Sequence, residues 1–206
     1  MARRGSYAKG VAKREEILDT ALEVIARDGY SRATVRELAN SVGLSQAGLL
    51  HYFGTKEQLF VEILRRRDER DQRAYGEAVG AAGTAADIAG AFVRLVRHNA
   101  QVPGFVQLFT RFSSEASEEQ HPAHAFFRDR YAVSRTITAD TLRKLQEEGR
   151  LSPGLDPERL ALMVFALIDG LQMQWLHDPD VDMADHVAYF WELVGLTPRT
   201  GGTPAG

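Results

Sequence analysis

The sequence predicts an all-α protein of about nine helices, with an N-terminal helix-turn-helix domain followed by a C-terminal helical bundle. Three observations lead there. Strand signals are nearly absent: no β-branched run alternates with polar residues, and no Asn-Gly or Asp-Gly hairpin turn occurs. Apolar residues recur at helical spacing along most of the chain. The runs are separated by glycine, proline and capping residues, as at Gly29, Gly43, Pro103, Gly149 and Pro157.

The first helix is expected from Lys9 to Asp28, where Ile17, Leu18, Ala21, Leu22 and Ile25 form one apolar stripe and Gly29 ends it. Two short helices follow, Val35 to Val42 and Gln46 to Tyr52. A longer one starts at Lys56 and continues into the charged stretch Arg65 to Arg73, which reads as a solvated face of intrahelical pairs. Gly76, Gly80 and Gly83 thin the pattern before a helix from Ala85 to Asn99. Pro103-Gly104 breaks the chain ahead of a short aromatic helix, Phe105 to Ser114. Then come Ala123 to Glu148, Asp156 to His177 with Asp156 as cap and Pro157 at the first helical position, and Met183 to Leu196. These elements divide into a flexible basic arm (1–10), a helix-turn-helix domain (11–57), a helical domain (58–197) and a disordered Gly/Pro/Thr-rich tail (198–206).

Composition excludes several function classes. The chain has 206 residues, 44% hydrophobic and 26% charged, which suits a globular domain with a real core. It has no cysteine, so disulfide scaffolds, thiolate zinc sites, cysteine nucleophiles and iron–sulfur clusters are excluded. The longest unbroken apolar stretch, Leu160 to Ile168, is too short to span a bilayer, and Met-Ala-Arg-Arg leads into no apolar signal core; a cytoplasmic protein is expected. No glycine-rich phosphate loop, Gly-x-Ser-x-Gly turn or His-Glu-x-x-His helix occurs, so no enzyme and no cofactor are expected. Charge is divided along the chain. Met1 to Lys56 has nine basic residues against six acidic, a net of +3, while Glu57 to Gly206 has 16 against 22, a net of −6. A basic head on an acidic body points the head toward an anionic partner.

The segment from Thr34 to Lys56 points to double-stranded DNA as that partner, the alternative being a plain helical hairpin with Lys56 a solvated surface charge. Thr34 and Glu37 form a capping box that opens one helix, and Gly43 closes it where positive φ is cheap only for glycine. Ser45 caps a second helix at once. Two short helices joined so tightly cross steeply. Ala39 supplies the small contact residue and Leu38, Val42, Leu44 and Leu49 its apolar partners. The second helix then turns Gln46, Ala47, Gly48, His51 and Tyr52 outward. Ala47 and Gly48 let backbone approach base edges, Gln46 suits a paired bond to adenine, and His51 or Tyr52 suits phosphate or a base. Thr55 caps the next helix with Gln58 three residues on, and Lys56 sits in its first turn, beside backbone amides that favour phosphate. Arg3, Arg4 and Lys9 fit a minor-groove arm, or equally a tail that adds only nonspecific attraction.

These residues resemble the TetR (tetracycline-repressor) family of bacterial transcriptional regulators. The resemblance is carried by Ala26-Arg27-Asp28-Gly29-Tyr30, Ala33-Thr34-Val35-Arg36-Glu37-Leu38-Ala39, Gly43-Leu44-Ser45 and His51-Tyr52-Phe53-Gly54-Thr55-Lys56-Glu57-Gln58-Leu59, and less specifically by Ala166 to Gln172 with Trp175-Leu176. It implies Thr34 on phosphate, Arg36 on phosphate or a base, Gln46, Ala47, Gly48 and His51 in the major groove, and Tyr52 and Lys56 on the backbone. Leu50 stands where family members often carry tyrosine, so that one hydroxyl contact is missing. The resemblance also implies a homodimer through the last two helices and a repressor released by a small ligand; two-fold symmetry would read a palindromic operator, and the aromatic residues below suggest a largely apolar molecule.

Dimerisation agrees with the sequence itself, since Leu160 to Leu176 is apolar nearly all round and Val187, Phe190, Trp191 and Val194 repeat at helical spacing. For the ligand, Phe92, Phe105, Phe109, Phe112, Phe126, Phe127, Tyr131, Phe165 and Met173 suit an apolar wall, with Asp169 and Gln172 as orienting polar groups, although such residues also read as plain core. A constitutive DNA-binding protein with no effector is the alternative function. His121 and His124 lie near Glu115, Glu118 and Glu119, but Pro122 between them favours an irregular solvated segment over a metal site.

Overall fold

The computed structural model of the chain describes residues 2–71 and 85–197. Among them nine helices form and no strand: α1 (Ala2–Asp28), α2 (Val35–Ser41), α3 (Gln46–Leu50), α4 (Lys56–Asp71), α5 (Ala85–Ala100), α6 (Pro103–Glu115), α7 (His124–Glu147), α8 (Pro157–His177) and α9 (Met183–Leu193). Helix α1 starts at Ala2, seven residues before the expected Lys9, so residues 2–10, expected as a flexible arm, are helical. Ala2, Arg3, Arg4, Ala8 and Lys9 all favour helix and no proline interrupts them. Gly76, Gly80, Gly83 and the tail 198–206 lie outside the described residues.

Helix ends follow local chemistry. At the close of α2 the Leu44 amide donates to the Ala39 carbonyl at 2.9 Å and the Gly43 amide to Asn40 at 3.1 Å, with Gly43 at φ 68°. That is a Schellman motif, and its left-handed residue is glycine because any Cβ there is strained. The same pair of bonds closes α7 at Gly149 and α9 at Gly195. Asp156 Oδ1 accepts the Glu158 and Arg159 amides and starts α8 with Pro157 in its first turn. Helix α6 begins at Pro103 itself rather than after the Pro-Gly pair, since the missing proline amide has no intrahelical acceptor in a first turn.

Two compact units form. The first takes residues up to Arg70 together with Val102–Phe127; the second takes Asp71, residues 85–101 and 128–197. Packing thus draws a different line from the expected division at 57/58: α4 and α6 belong with the helix-turn-helix. The reason is burial. Leu59, Phe60, Ile63 and Leu64 of α4 are core residues alongside Ile17, Leu18, Ala21 and Ile25 of α1, and Tyr30, Phe60 and Phe112 form an aromatic triangle with centroids 5.4–6.3 Å apart.

Ion pairs tie α1 to α4. Arg66 donates to Asp19 at 2.9 Å and lies 2.7 Å from Glu15, and Arg70 reaches Asp19 at 2.8 Å. The Arg66 hydrogen bond, helped by both guanidinium charges, holds the Asp19 carboxyl below its ordinary range. A lowered folded pKa means the pair stabilises the fold above the unfolded value of about 3.9 and is lost as pH falls through the folded one. Asp19→Asn is therefore expected to lower the thermal midpoint at pH 7 and to lower it progressively less as pH falls below about 3.9, as read by circular dichroism melts across that range.

The second unit is built on Ile88, Phe92 and Val96 of α5, Leu142 and Leu145 of α7, Leu160, Val164, Ile168 and Leu171 of α8, and Val187 and Trp191 of α9. Helix α8 is 21 residues long and, by length and composition, apolar enough to cross a membrane. A core helix of a globular protein meets the same measure, and the unbroken apolar stretch within it still ends at Asp169. One face of α8 serves as core, while Leu162, Met163 and Met173 are exposed. Tyr189 and Leu193 of α9 are exposed as well, at 60% and 67%.

Candidate nucleic-acid interface

The expected site residues come together on the surface of the first unit. Leu38, Ala39, Val42, Leu49 and Phe53 are buried, which fixes by elimination the side that α2 and α3 turn to solvent. On it lie Thr34, Arg36, Ser45, Gln46, Ala47, His51, Thr55 and Lys56, all exposed, with Gly48 and Tyr52 half-buried. Ser45 Oγ accepts the Gly48 amide at 3.0 Å, and a Cβ on residue 48 would stand only 3.1 Å from that hydroxyl. Glycine here serves both the cap and close approach of backbone to a ligand.

The two capping boxes differ. At α4 both halves form: the Thr55 amide donates to Gln58 Oε1 at 3.2 Å and the Gln58 amide to Thr55 Oγ1 at 3.1 Å. At α2 only the Glu37 amide to Thr34 Oγ1 bond is made, at 3.2 Å. The Thr34 amide goes instead to the Arg32 carbonyl at 2.7 Å, which leaves the Glu37 carboxylate nothing to cap.

Most cations of this unit are committed to partners, although Lys9 and Arg32, like the two cations of this face, form no ion pair among the described residues. Lys13, Arg14, Arg27, Arg66 and Arg70 are each ion-paired. Arg36 and Lys56 form no ion pair among the described residues, and both are exposed. Lys56 opens α4, where first-turn amides lack intrahelical acceptors and the helix dipole is positive. Two uncommitted cations thus flank an exposed edge of small and amide side chains, an arrangement complementary to phosphate on either side of a groove.

The expected ligand residues do not assemble in this way. Phe105, Phe109, Phe112 and Phe127 belong to the first unit, and Phe92, Tyr131, Phe165, Asp169, Gln172 and Met173 to the second. Phe112 is core against Tyr30 and Phe60, Phe92 is core against Phe165 and Trp191, and Met173 is exposed. What the second unit does join is Tyr131 and Asp169, whose phenol donates to Oδ2 at 2.6 Å. Burial pushes the Asp169 carboxyl up, against the smaller pull of that phenol, and pushes the Tyr131 phenol well above its usual range. Three residues along α8, Gln172 is 6% exposed and its Oε1 has no hydrogen-bond partner among the described residues. A groove of about 470 Å³ runs between α7 and α8, but it is lined by residues such as Arg135, Asp140, Arg143 and Leu162, none of them anticipated. His124 Nδ1 lies 2.8 Å from the Ala116 carbonyl and His121 Nδ1 accepts the Ala123 amide, so both imidazoles are engaged by backbone.

A helix-turn-helix with an exposed second helix, joined to an all-helical second unit, defines a DNA-binding transcriptional regulator. Residues 17–63 match the family described as "Bacterial regulatory proteins, tetR family", and residues 93–190 match "BetI-type transcriptional repressor, C-terminal". The chain belongs to the TetR family of bacterial regulatory proteins. It is 29% identical over 192 residues to the HTH-type transcriptional regulator BetI of Rhizobium meliloti (strain 1021), covering 92% of this chain and 91% of that protein. Among solved structures it is similar to a transcriptional regulator from Saccharomonospora viridis in complex with choline (28% identity, TM-score 0.68, covering 87% and 95% of the two chains). It shares the fold of the transcriptional regulator FadR from Bacillus subtilis in complex with stearoyl-CoA (20% identity, TM-score 0.70, covering 87% and 96%).

Proposed function

We propose that the protein is a cytoplasmic homodimeric repressor, without catalytic activity, that leaves a two-fold symmetric operator when a small, largely apolar molecule carrying one cationic or hydrogen-donating group binds its second unit. The observation that carries the DNA half is the pair of unpaired cations, Arg36 and Lys56, beside the exposed edge Gln46-Ala47-Gly48-His51. In this reading Gln46, Ala47, Gly48 and His51 face bases, and Thr34, Ser45, Tyr52, Thr55 and Lys56 hold backbone. Arg36 takes a phosphate or a base edge. A five-residue helix reads too few base pairs for selectivity, so two copies reading half-sites about 34 Å apart follow naturally. The apolar surface left on α8 and α9 by Leu162, Met163, Met173, Tyr189 and Leu193 supports pairing through those helices.

The effector half rests on Asp169 and Gln172, two acceptors on one face of α8: Asp169 accepts from the Tyr131 phenol and feels the Arg130 charge, and Gln172 Oε1 has no partner among the described residues. Phe165 lies one turn before Asp169 on that helix, with Phe92 at 5.7 Å from it. Rings and acceptors together suit an organic cation, and the choline bound by the Saccharomonospora viridis regulator supports that chemistry. An effector shifts the DNA-bound population only by binding one state better than the other.

The test is Asp169→Asn, followed by thermal shift with choline and by choline-dependent release from operator. Because burial raises the Asp169 pKa, the charged form is disfavoured in the fold, and stability is lost as pH rises through that value. The variant is expected to melt higher than wild type at pH 7 without ligand, equally at pH 3, and to lose the choline-induced shift. A variant that keeps the full shift would sink the assignment. Operator affinity insensitive to organic cations in the wild type would favour the constitutive alternative.

A further inference from the structure

Helix α3 has five residues, too few to be stable or to hold a direction on its own. Its bearing comes from the buried Leu49 and from the turns on either side. Both turns are held by α1, through adjacent residues. Lys13 donates from Nζ to the Val42 carbonyl at 3.0 Å. Val42 is the C-cap of α2, at the entry to the α2–α3 turn, where helix carbonyls lack intrahelical donors and carry partial negative charge. The same ammonium lies 2.7 Å from Glu16, which fixes it in place. Arg14 sets its guanidinium 4.9 Å from the centroid of Phe53, in the turn that leaves α3. It also donates to Glu62 of α4 at 2.7 Å. The entry and the exit of α3 are thereby tied to one rigid helix, by a charge-assisted hydrogen bond at one end and a cation–π contact at the other.

We propose that Lys13 and Arg14 are positioning residues of the DNA interface, clamping the two ends of α3 without touching DNA. The proposal rests on α3 being the element that reads bases. Both cations count toward the basic head by charge, yet their donors are directed inward, unlike those of Arg36 and Lys56. Base-edge hydrogen bonds fail with small misalignments, whereas attraction to phosphate tolerates them. Loosening the clamp therefore lowers specific binding and spares nonspecific binding, and a lost phosphate contact lowers both.

The experiment uses the full chain and a duplex that the wild type selects from a random pool. Lys13→Met and Arg14→Met keep an apolar stem and remove the charge. Each is expected to bind the selected duplex about tenfold more weakly, with affinity for random duplex within about twofold of wild type and an unchanged slope of log affinity against log salt. Lys13→Arg, which keeps a donor, is expected to recover most of the loss. Should Arg14→Met lose its helical circular dichroism, Glu62→Gln opens the same pair from α4 and is expected to give the same selective loss. Equal losses on both duplexes with the slope reduced by about one would make these residues phosphate ligands and overturn the clamp. So would variants that bind both duplexes as wild type does. A wild type that selects no duplex would overturn the DNA-reading role of α3 and the clamp with it.

Discussion

Replacing Arg36 and Lys56 together with alanine is expected to weaken binding to every duplex, selected or random, by about a hundredfold near physiological salt and to take about two units from the salt slope. Each cation that leaves a phosphate forgoes the release of roughly one condensed counterion, so the slope counts contacts directly. The fold should be indifferent, because both side chains are exposed and unpaired among the described residues, and surface changes away from caps and pairs stay within about 0.5 kcal/mol. Gln46→Ala is the contrasting variant. It removes no charge, so its slope should match wild type while preference at one base pair relaxes by about 1–3 kcal/mol. Titrations by fluorescence anisotropy at four salt concentrations distinguish the two patterns. A double variant with wild-type slope would remove both residues from the interface. A slope reduced by one, with altered base preference, would assign Arg36 to a base edge.

The parts of this interface that were legible in the sequence are those whose chemistry is local. Ser45 caps α3 within three residues, Gly43 and Leu44 close α2 within five, and the Thr55–Gln58 box is reciprocal because both partners lie in one turn. Even there a competitor can intervene: the Thr34 amide found the Arg32 carbonyl before the Glu37 side chain. What was not legible depends on distant partners. Lys13 and Arg14 look like ordinary solvated cations on α1, and their partners stand 29 and 48 residues away. The aromatic residues fail in the same manner. Composition gathers Phe92, Phe105, Phe109 and Phe112 into one wall, while packing sends Phe112 to Tyr30 and Phe92 to Trp191, in different units. Helical periodicity says which side of a helix is buried and leaves open against what.

Gly104→Ala should be the most damaging small substitution in the first unit, lowering stability by about 2–3 kcal/mol. By spacing, Gly104 reads as one half of a Pro-Gly break. In the fold it lies in the first turn of α6, and a Cβ there would stand 2.5 Å from the Ile25 carbonyl oxygen, 2.9 Å from Gly29 Cα and 3.1 Å from the Tyr30 amide nitrogen. All three neighbours are backbone, so no rotamer change relieves the overlap and α6 must move off the end of α1. That contact sets the positive end of α6 against the carbonyl end of α1, a favourable pairing of helix termini that any side chain on residue 104 would hold apart. Displacement would also disturb Tyr30, whose ring packs on Phe60 of α4 and Phe112 of α6. Gly10→Ala supplies the control, since a Cβ at that position in α1 meets nothing within 4 Å and alanine in a helix is favoured by about 0.5–1 kcal/mol. The same change of one hydrogen to methyl should therefore lower the thermal midpoint at 104 and raise it at 10. Equal midpoints for Gly104→Ala and wild type would mean that α6 slides freely along α1, and the reading of Gly104 as the point where the two helices must touch would fail.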